Sequence, residues 1–222
     1  MTSQLVNEGK GAIFDLDGTL LDSMGVWKEV DRLFFEHRGI SMPSDYAHAV
    51  AAMQSGDIAD YTIRRFSLDE DREDLMREWT DTAQELYANQ VRTKPHALEY
   101  LHHLRNTGAK LAVATSLAPR LRDAALLHAG IRDCFDVVCS VDDAGLGGKE
   151  RPDIFLYAAK KLGVTPEDCT VFEDILIAVR TAKSVGMQVW AMFDASSQGD
   201  WERIRDEADG VIHDFDQAPL RL

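Results

Sequence analysis

Two aspartates directly follow a short apolar run near the N-terminus, and this arrangement restricts the possible structures more than any other feature. The run is Ala12–Phe14, Asp15 and Asp17 come next, and Gly18 ends it. Such a run indicates a buried strand, and residues two apart leave a strand on the same side. Two buried carboxylates repel each other unless a cation compensates them, and carboxylate oxygens are ligands of hard divalent cations. The stretch therefore predicts a metal-assisted acidic site at a strand end.

Two other readings of this stretch are possible. Both aspartates could be solvated turn residues, although turn carboxylates seldom follow so apolar a run. A calcium-binding EF-hand loop requires acids at positions one, three and five and glycine at position six. Counted from Asp15, Gly18 arrives at position four. This spacing argues against the calcium loop.

Composition excludes several classes of protein. The 222 residues are 45% hydrophobic and carry a formal net charge of −14, which disfavours nucleic acid and anionic membranes as partners. No run approaches the length of a membrane span, and the N-terminus has no apolar signal-peptide region. Cys134, Cys139 and Cys169 lack CxxC spacing and read as small buried hydrophobes. We expect a soluble, cytoplasmic protein, either a monomer or a weak homodimer.

The pattern of apolar residues changes near Lys94–Pro95. From residue 23 to about 93 the pattern is helical, although less clearly so over residues 46–66, and it predicts no strand. The acidic run Asp69–Asp74 is interpreted as a solvated helix start. Beyond it, strands alternate with helices, which indicates a parallel sheet covered on both faces. The predicted strands are Lys110–Ser116, Phe135–Cys139, Cys169–Glu173, Gln188–Phe193 and Val211–Ile212.

The stretch Phe14–Ser23, FDLDGTLLDS, resembles the first motif of the haloacid dehalogenase-like hydrolase superfamily. This resemblance implies that Asp15 is the phosphate-accepting nucleophile and Asp17 the general acid/base. It also implies a Rossmann-like, doubly wound α/β core with an inserted four-helix cap of the C1 type. The core would be residues 1–22 and 95–222, and the cap 23–94. Within the superfamily the chain is most similar to subfamily IA and its beta-phosphoglucomutase and sugar-phosphate phosphatase-like branch.

Three further motifs of the superfamily have matches at predicted strand ends, where ligands bind in such sheets. Thr115 and Ser116 match the second motif, which holds phosphoryl oxygens. Lys149 matches the lysine of the third motif, whose ammonium neutralises negative charge on the nucleophile and on the transferring phosphoryl group. Glu150 stands where this motif usually has a proline.

The pair Glu173–Asp174 matches the fourth, metal-binding motif. The resemblance implies magnesium held by Asp15, the Asp17 carbonyl, Asp174 and Glu173. After this pair, Ile175 and Ala178 depart from the usual serine and glycine, which affects loop packing rather than the ligands.

By this resemblance the motifs predict a magnesium-dependent phosphatase that acts through an aspartyl-phosphate on a small phosphorylated metabolite, with a sugar phosphate as the expected substrate. A phosphoglucomutase-type phosphotransferase is the alternative within enzymes. It usually has a histidine after the first motif, where this chain reads Met24–Trp27, and a cap arginine, whose match falls near Ser55. The phosphonate-cleaving branch needs a cap lysine, and Lys28 reads as surface. A non-catalytic binding protein with the same fold is the remaining alternative.

The remaining candidates are given structural roles. We expect no histidine in the site, with His96 a hinge residue between cap and core. Asp194 is expected to cap the helix that contains Trp201 and Ile204, and Arg64 and Arg65 to lie on the surface, although they could bind a distal anion.

Overall fold

The protein divides into two compact units. The computed structural model describes residues 5–50, 53, 55–144 and 147–222. One unit comprises Met1–Met24 and Val91–Leu222, and the other comprises Gly25–Gln90. The domain limits inferred from the sequence, and the role of residues 23–94 as a cap, stay predictions.

The first unit contains a six-stranded sheet, and all the strand pairs in it are parallel. In chain order the strands are β1 Gly11–Phe14, β2 Leu21–Asp22, β3 Arg92–Thr93, β4 Lys110–Thr115, β5 Val137–Ser140, β6 Cys169–Glu173, β7 Gln188–Met192 and β8 Gly210–Ile212. The order in the sheet is β5-β4-β1-β6-β7-β8, while β2 and β3 form a separate antiparallel pair. The chain therefore builds the sheet outward from β1 in one direction and then in the other.

The β2–β3 pair corrects the expectation that no strand lies between residues 23 and 93. Leu21 pairs with Thr93 and Asp22 with Arg92, and the Lys94 amide donates a hydrogen bond of 2.8 Å to the Leu20 carbonyl. A two-residue strand is too short to show an alternating pattern, so periodicity cannot reveal it.

The second unit is helical among its described residues. Its helices are α1 Val26–His37, α2 Tyr46–Val50, α3 Ser55–Phe66 and α4 Arg72–Asn89. Phe35 lies at the centre, with its ring centroid 4.9 Å from those of Tyr46 and Phe66. Asp71 caps α4 by accepting a 2.8 Å hydrogen bond from the Asp74 amide. The acidic run is therefore a helix start, because carboxylates satisfy the free amides of the first turn.

Helices cover both faces of the sheet. They are α5 Ala97–Asn106, α6 Pro119–His128, α7 Asp153–Leu162, α8 Leu176–Ser184 and α9 Trp201–Glu207. Ile13 and Val171 belong to a buried cluster with residues of α7 and α8. On neighbouring strands Phe14 stacks on Phe172 at 4.6 Å, and both rings contact Tyr100 and Phe215. The predicted α/β fold class is confirmed, and the continuous apolar strands follow from burial on both faces.

Among the described helices, none combines the length and the apolar character that crossing a membrane would require.

Candidate active site

Three neighbouring strands end at one edge of the sheet and deliver the predicted site residues there. Asp15 follows β1, Thr115 ends β4, and Glu173 ends β6. Because β1 lies between β4 and β6, this edge is where the winding direction of the chain reverses. Ligands of doubly wound sheets bind at that point, outside the carboxyl ends of the strands.

Lys149 lies among the acidic residues and is only 5% exposed. Its Nζ is 2.5 Å from Asp15 Oδ1 and also donates to Glu173 Oε1. Burial by itself would lower the pKa of this ammonium, but the carboxylates of Asp15 and Glu173 outweigh burial and raise the pKa above its usual range. Lys149 therefore stays charged and neutralises part of the negative charge around it.

A group of three buried carboxylates could hold a metal ion. Oxygens of Asp15, Glu173 and Asp174 lie within 4.8 Å of one another. Burial, together with the neighbouring carboxylates, raises the pKa of Asp174, and burial raises the pKa of Glu173 although Lys149 opposes it. The negative charge of the three carboxylates exceeds the single positive charge of Lys149. A hard cation, which prefers oxygen ligands, therefore fits this donor set.

The loop after β1 positions Asp174. Thr19 donates to Asp174 Oδ1 at 3.1 Å, and Ser197 donates to Oδ2 at 3.3 Å. Gly18, at φ +78°, lies so close that a Cβ would collide with the Asp174 carboxylate. The sequence reasoning did not single out Thr19 or Ser197. Thr19 could have been found from its place in the first motif, whereas Ser197 gives no sequence signal.

Asp17 is held separately from the three-carboxylate group. It is half-buried, and Ser23 donates a hydrogen bond of 2.5 Å from its hydroxyl to Asp17 Oδ1. Ser23 belongs to the first motif, but the sequence reasoning gave it no role. This contact orients the Asp17 carboxylate.

A cavity of about 170 Å³ opens at this edge of the sheet. Its described lining residues are Asp15, Asp17, Met24, Thr115, Ser116, Lys149, Asp174 and Ile175. Six of the seven predicted site residues therefore meet around one cavity. Glu173 is 0% exposed and lies outside this lining, where it accepts hydrogen bonds from Lys149 and from the amides of Asp174 and Ile175.

The loop after β4 is held by a network that sequence reasoning missed. Thr115 Oγ1 accepts a 3.1 Å hydrogen bond from the Leu117 amide, and the Ser140 hydroxyl donates to the Leu117 carbonyl at 2.7 Å. Arg122 in turn donates to Ser140 Oγ at 2.9 Å and pairs with Asp143. Ser116, by contrast, is exposed. The neighbouring Gly145 and Leu146, in the predicted glycine-rich loop, lie outside the described residues.

Two side chains outside the cavity, Asp194 and His96, are held by ion pairs. Asp194 does not cap the helix that contains Trp201. It accepts from the Ser196 amide in the turn Ala195–Ser197, and its Oδ2 is 2.6 Å from Lys94 Nζ. His96 lies outside the cavity, and its Nδ1 is 2.7 Å from Asp214 Oδ1, a contact that raises the pKa of the imidazole.

The structure also places the other candidates that sequence reasoning considered. Arg65 pairs with Asp45 at 2.8 Å and Lys28 is exposed. The three cysteines are buried, as predicted, and burial raises the pKa of each thiol. They therefore stay protonated.

Comparison with known proteins identifies the family. Residues 10–186 match the haloacid dehalogenase-like hydrolases. The chain belongs to this family. The sequence-based identification of the family and the predictions of an enzyme and of a hydrolase of phosphatase type are confirmed.

Relatives of this hydrolase match most of its length. It is 31% identical to fructose-1-phosphate phosphatase of Escherichia coli K12, over 80% of this chain and 93% of the relative. It is 28% identical to hexitol phosphatase A of the same organism, over 95% of this chain and 94% of the relative. The solved beta-phosphoglucomutase of Clostridium difficile shares the fold, with a TM-score of 0.68 and 20% identity over 95% of this chain and 93% of that one.

Proposed function

We propose that this hydrolase removes phosphate from a small phosphorylated metabolite of the sugar-phosphate class, with Asp15 as nucleophile. The observation that carries the proposal is the position of Asp15, at the sheet edge with its carboxylate 2.5 Å from the buried Lys149 ammonium. The substrate class draws on the two Escherichia coli relatives, which are named for a sugar phosphate and for hexitols.

In the first step the Asp15 carboxylate attacks phosphorus, and an acyl phosphate forms as the bond to the leaving oxygen breaks. Asp17, held by Ser23, donates a proton to that oxygen. In the second step water attacks the phosphoryl group, Asp17 accepts its proton, and Asp15 is released with inorganic phosphate. The Lys149 ammonium and the hydroxyls and amides of Thr115 and Ser116 stabilise the transferring phosphoryl oxygens.

Magnesium is the cofactor that we propose for this site. Asp15 and Asp174 would hold it, with the Asp17 carbonyl and Glu173 as the further ligands expected from the sequence. Bound there, magnesium supplies charge neutralisation between the carboxylates and the phosphoryl group. Glu173 would also orient Lys149, because its carboxylate contacts the ammonium and holds it toward Asp15.

The proposal is tested by phosphate release from a panel of phosphomonoesters, with and without magnesium, for the wild type and Asp15→Asn. We expect magnesium-dependent release that falls about 10³-fold or more in the variant, because an amide is a poor nucleophile. Asp168→Asn is the matched control. Asp168 precedes β6 at the opposite end of the sheet, where it forms a partly exposed ion pair with Lys10.

Full activity of Asp15→Asn would exclude the proposed nucleophile. No release from any phosphomonoester by folded wild type would exclude the phosphatase. Isomerisation of β-glucose 1-phosphate on addition of a bisphosphate, without phosphate release, would support the mutase instead.

A further inference from the structure

Each oxygen of the Asp174 carboxylate accepts a hydrogen bond from a hydroxyl group, and the two hydroxyls come from different segments. Thr19 donates to Oδ1 at 3.1 Å from the loop after β1, and Ser197 donates to Oδ2 at 3.3 Å from the turn after β7. The terminal torsion of an aspartate side chain has a broad range, so one hydrogen bond alone leaves the plane of the carboxylate poorly defined. Two donors, one on each oxygen, fix that plane.

Ser197 contacts Asp174 from a part of the chain outside the four motifs. It lies 23 positions after Asp174, in the turn Ala195–Ser197. None of the described lining residues of the cavity belongs to this turn. The described contact of Ser197 with the site is therefore the hydrogen bond to a carboxylate that is itself only 1% exposed.

A buried ion pair holds the turn that contains Ser197. Lys94 Nζ is 2.6 Å from Asp194 Oδ2, and the two side chains are 13% and 7% exposed. The other oxygen, Asp194 Oδ1, accepts hydrogen bonds from the amide and the hydroxyl of Ser196, at 2.8 and 2.7 Å. Separating a buried pair leaves a buried charge uncompensated, which is strongly unfavourable. The position of the turn is therefore set by the position of Lys94.

The backbone of Lys94 is fixed as well. Its amide donates a hydrogen bond of 2.8 Å to the carbonyl of Leu20, the residue that follows Thr19. The series of contacts therefore begins beside Thr19 and ends at Ser197. The two hydroxyls at its ends both bind Asp174, so the series closes on that carboxylate.

We propose that Ser197 is a positioning residue for the metal ligand Asp174, and that the Lys94–Asp194 pair acts through Ser197. The inference rests on the proposed magnesium site and adds to it a turn that none of the motifs contains. Hydrogen-bond partners of metal ligands orient those ligands, and losing one typically lowers metal affinity about 10- to 100-fold. Ser197 is not proposed to touch the substrate or the reacting atoms.

The test measures metal binding by the full-length protein rather than turnover. Mn²⁺ suits the same carboxylate, carbonyl and water ligands as magnesium, and its free EPR signal falls as it binds. Asp174→Asn identifies the site, because binding there should be lost. Ser197→Ala should weaken Mn²⁺ binding about 10- to 100-fold, and Ser197→Thr, which keeps the hydroxyl, should restore most of the affinity. Magnesium should displace Mn²⁺ with the same order of affinities among the variants.

Ser196→Ala is the matched control. Ser196 lies in the same turn, but its hydroxyl donates to Asp194 rather than to Asp174. After this change Asp194 keeps Lys94 and the Ser196 amide as partners, so Mn²⁺ should bind as it does to the wild type. The unfolding temperature with a chelator should be close to that of the wild type for both alanine variants, because each loses one hydroxyl that is exposed or half-buried.

The role of the ion pair is measured by combining variants. Asp194→Asn should also weaken Mn²⁺ binding, and adding Ser197→Ala to it should cause little further loss, because both changes act on the same contact. Asp194→Asn leaves the Lys94 ammonium without its counter-charge, so binding is measured below the unfolding temperature of this variant. Losses that simply multiply would overturn the proposed action of the pair through Ser197.

Wild-type affinity in Ser197→Ala, no recovery in Ser197→Thr, or equal losses in Ser197→Ala and Ser196→Ala would each overturn the role of Ser197. In all three cases the proposed phosphatase would be unaffected. No Mn²⁺ binding by the wild type, or binding that survives in Asp174→Asn, would overturn the metal site together with this inference. Phosphate release is measured separately, so the phosphatase can fail while the dependence of metal binding on Ser197 is intact.

Discussion

Gly18 is required by two independent features of the turn after β1. Its φ of +78° is a conformation that residues with a Cβ rarely adopt, and a Cβ there would collide with the carboxylate of Asp174. The residue therefore allows the first strand end and the β6 strand end to approach each other closely. Because Gly18 has no side chain, the pair Asp15–Asp17 and the pair Glu173–Asp174 can lie close together.

Gly18→Ala should displace the Asp174 carboxylate and abolish metal-dependent activity. We also expect the free energy of unfolding to fall by about 2 kcal/mol or more, from backbone strain and the collision together. Gly9→Ala separates the effect of backbone strain from the effect of the collision. Gly9 has φ +84°, but no atom lies within 4 Å of the position that a Cβ would take, so this variant should lose about 1 kcal/mol and stay active. Activity and chemical denaturation measure both, and an active Gly18→Ala would contradict the argument.

At the scale of elements, β4, β5 and α6 act together to fix the loop that follows β4. Ser140 ends β5, Arg122 lies on α6, and both belong to the network around the Leu117 carbonyl. The Ser140 side chain is 0% exposed, so water cannot replace its hydrogen bonds without a structural change. The network holds the backbone directly after Thr115 and Ser116, the proposed phosphate-binding residues.

Ser140→Ala should remove the donor to the Leu117 carbonyl and loosen this loop. We expect a loss of about 1–3 kcal/mol in the free energy of unfolding, since a buried carbonyl is left without a partner. We also expect KM and the inhibition constant of inorganic phosphate to rise several-fold with little change in kcat. Ser184→Ala is the control, because the Ser184 hydroxyl also donates to a backbone carbonyl, that of Thr181, at the far end of α8. Equal effects of the two variants on KM would show that the network does not position the loop.

A second element-scale contact connects the segment after β3 to the site. Lys94 forms an ion pair with Asp194. Asp194 caps the turn that contains Ser197, and Ser197 donates a hydrogen bond to the Asp174 carboxylate. The expectation that Asp194 caps a later helix was wrong because the carboxylate satisfies the nearer turn and the lysine first. A pair 100 residues apart in the chain has no local pattern that predicts it.

For the whole molecule, the concentration of negative charge at one sheet edge should govern how stability depends on pH. The folded state raises the pKa of Glu173 and of Asp174 above that of unfolded carboxyl groups. The folded state therefore binds a proton at each of these carboxyl groups more tightly than the unfolded state does. Proton binding at Glu173 and Asp174 increases the free energy of unfolding as the pH falls from their raised pKa values toward those of unfolded carboxyl groups. Magnesium needs the ionised carboxylates and should act in the opposite direction.

We predict that metal-free Asp174→Asn unfolds at a higher temperature than metal-free wild type at about pH 8, and that the difference shrinks steadily as the pH falls toward about 4, the usual pKa of an unfolded aspartate. Magnesium should raise the unfolding temperature of the wild type, by an amount equivalent to about 2.7 kcal/mol at 100 times its dissociation constant, and should stabilise the variant far less. Calorimetry with magnesium or with a chelator measures both effects. A wild type that is insensitive to magnesium would contradict the proposed metal site.

Local sequence patterns were enough to predict the alternation of strands and helices, the acids and hydroxyls at strand ends, and the lysine shortly before a helix. Apolar periodicity reports burial on both sheet faces, and parallel strands place their ends at one edge. The resemblance to a known family added the expected roles of Asp15, Asp17, Lys149 and the Glu173–Asp174 pair, which remain predictions.

Which side chains meet became visible only in the folded chain. The fold showed the contacts of Thr19 and Ser197 with Asp174, the burial of Glu173 beside Lys149 and the Arg122–Ser140 network. Each of these contacts joins residues that are far apart in the chain. Such contacts leave no periodic signal in the sequence, because a local pattern indicates whether a residue is buried but not which group it touches.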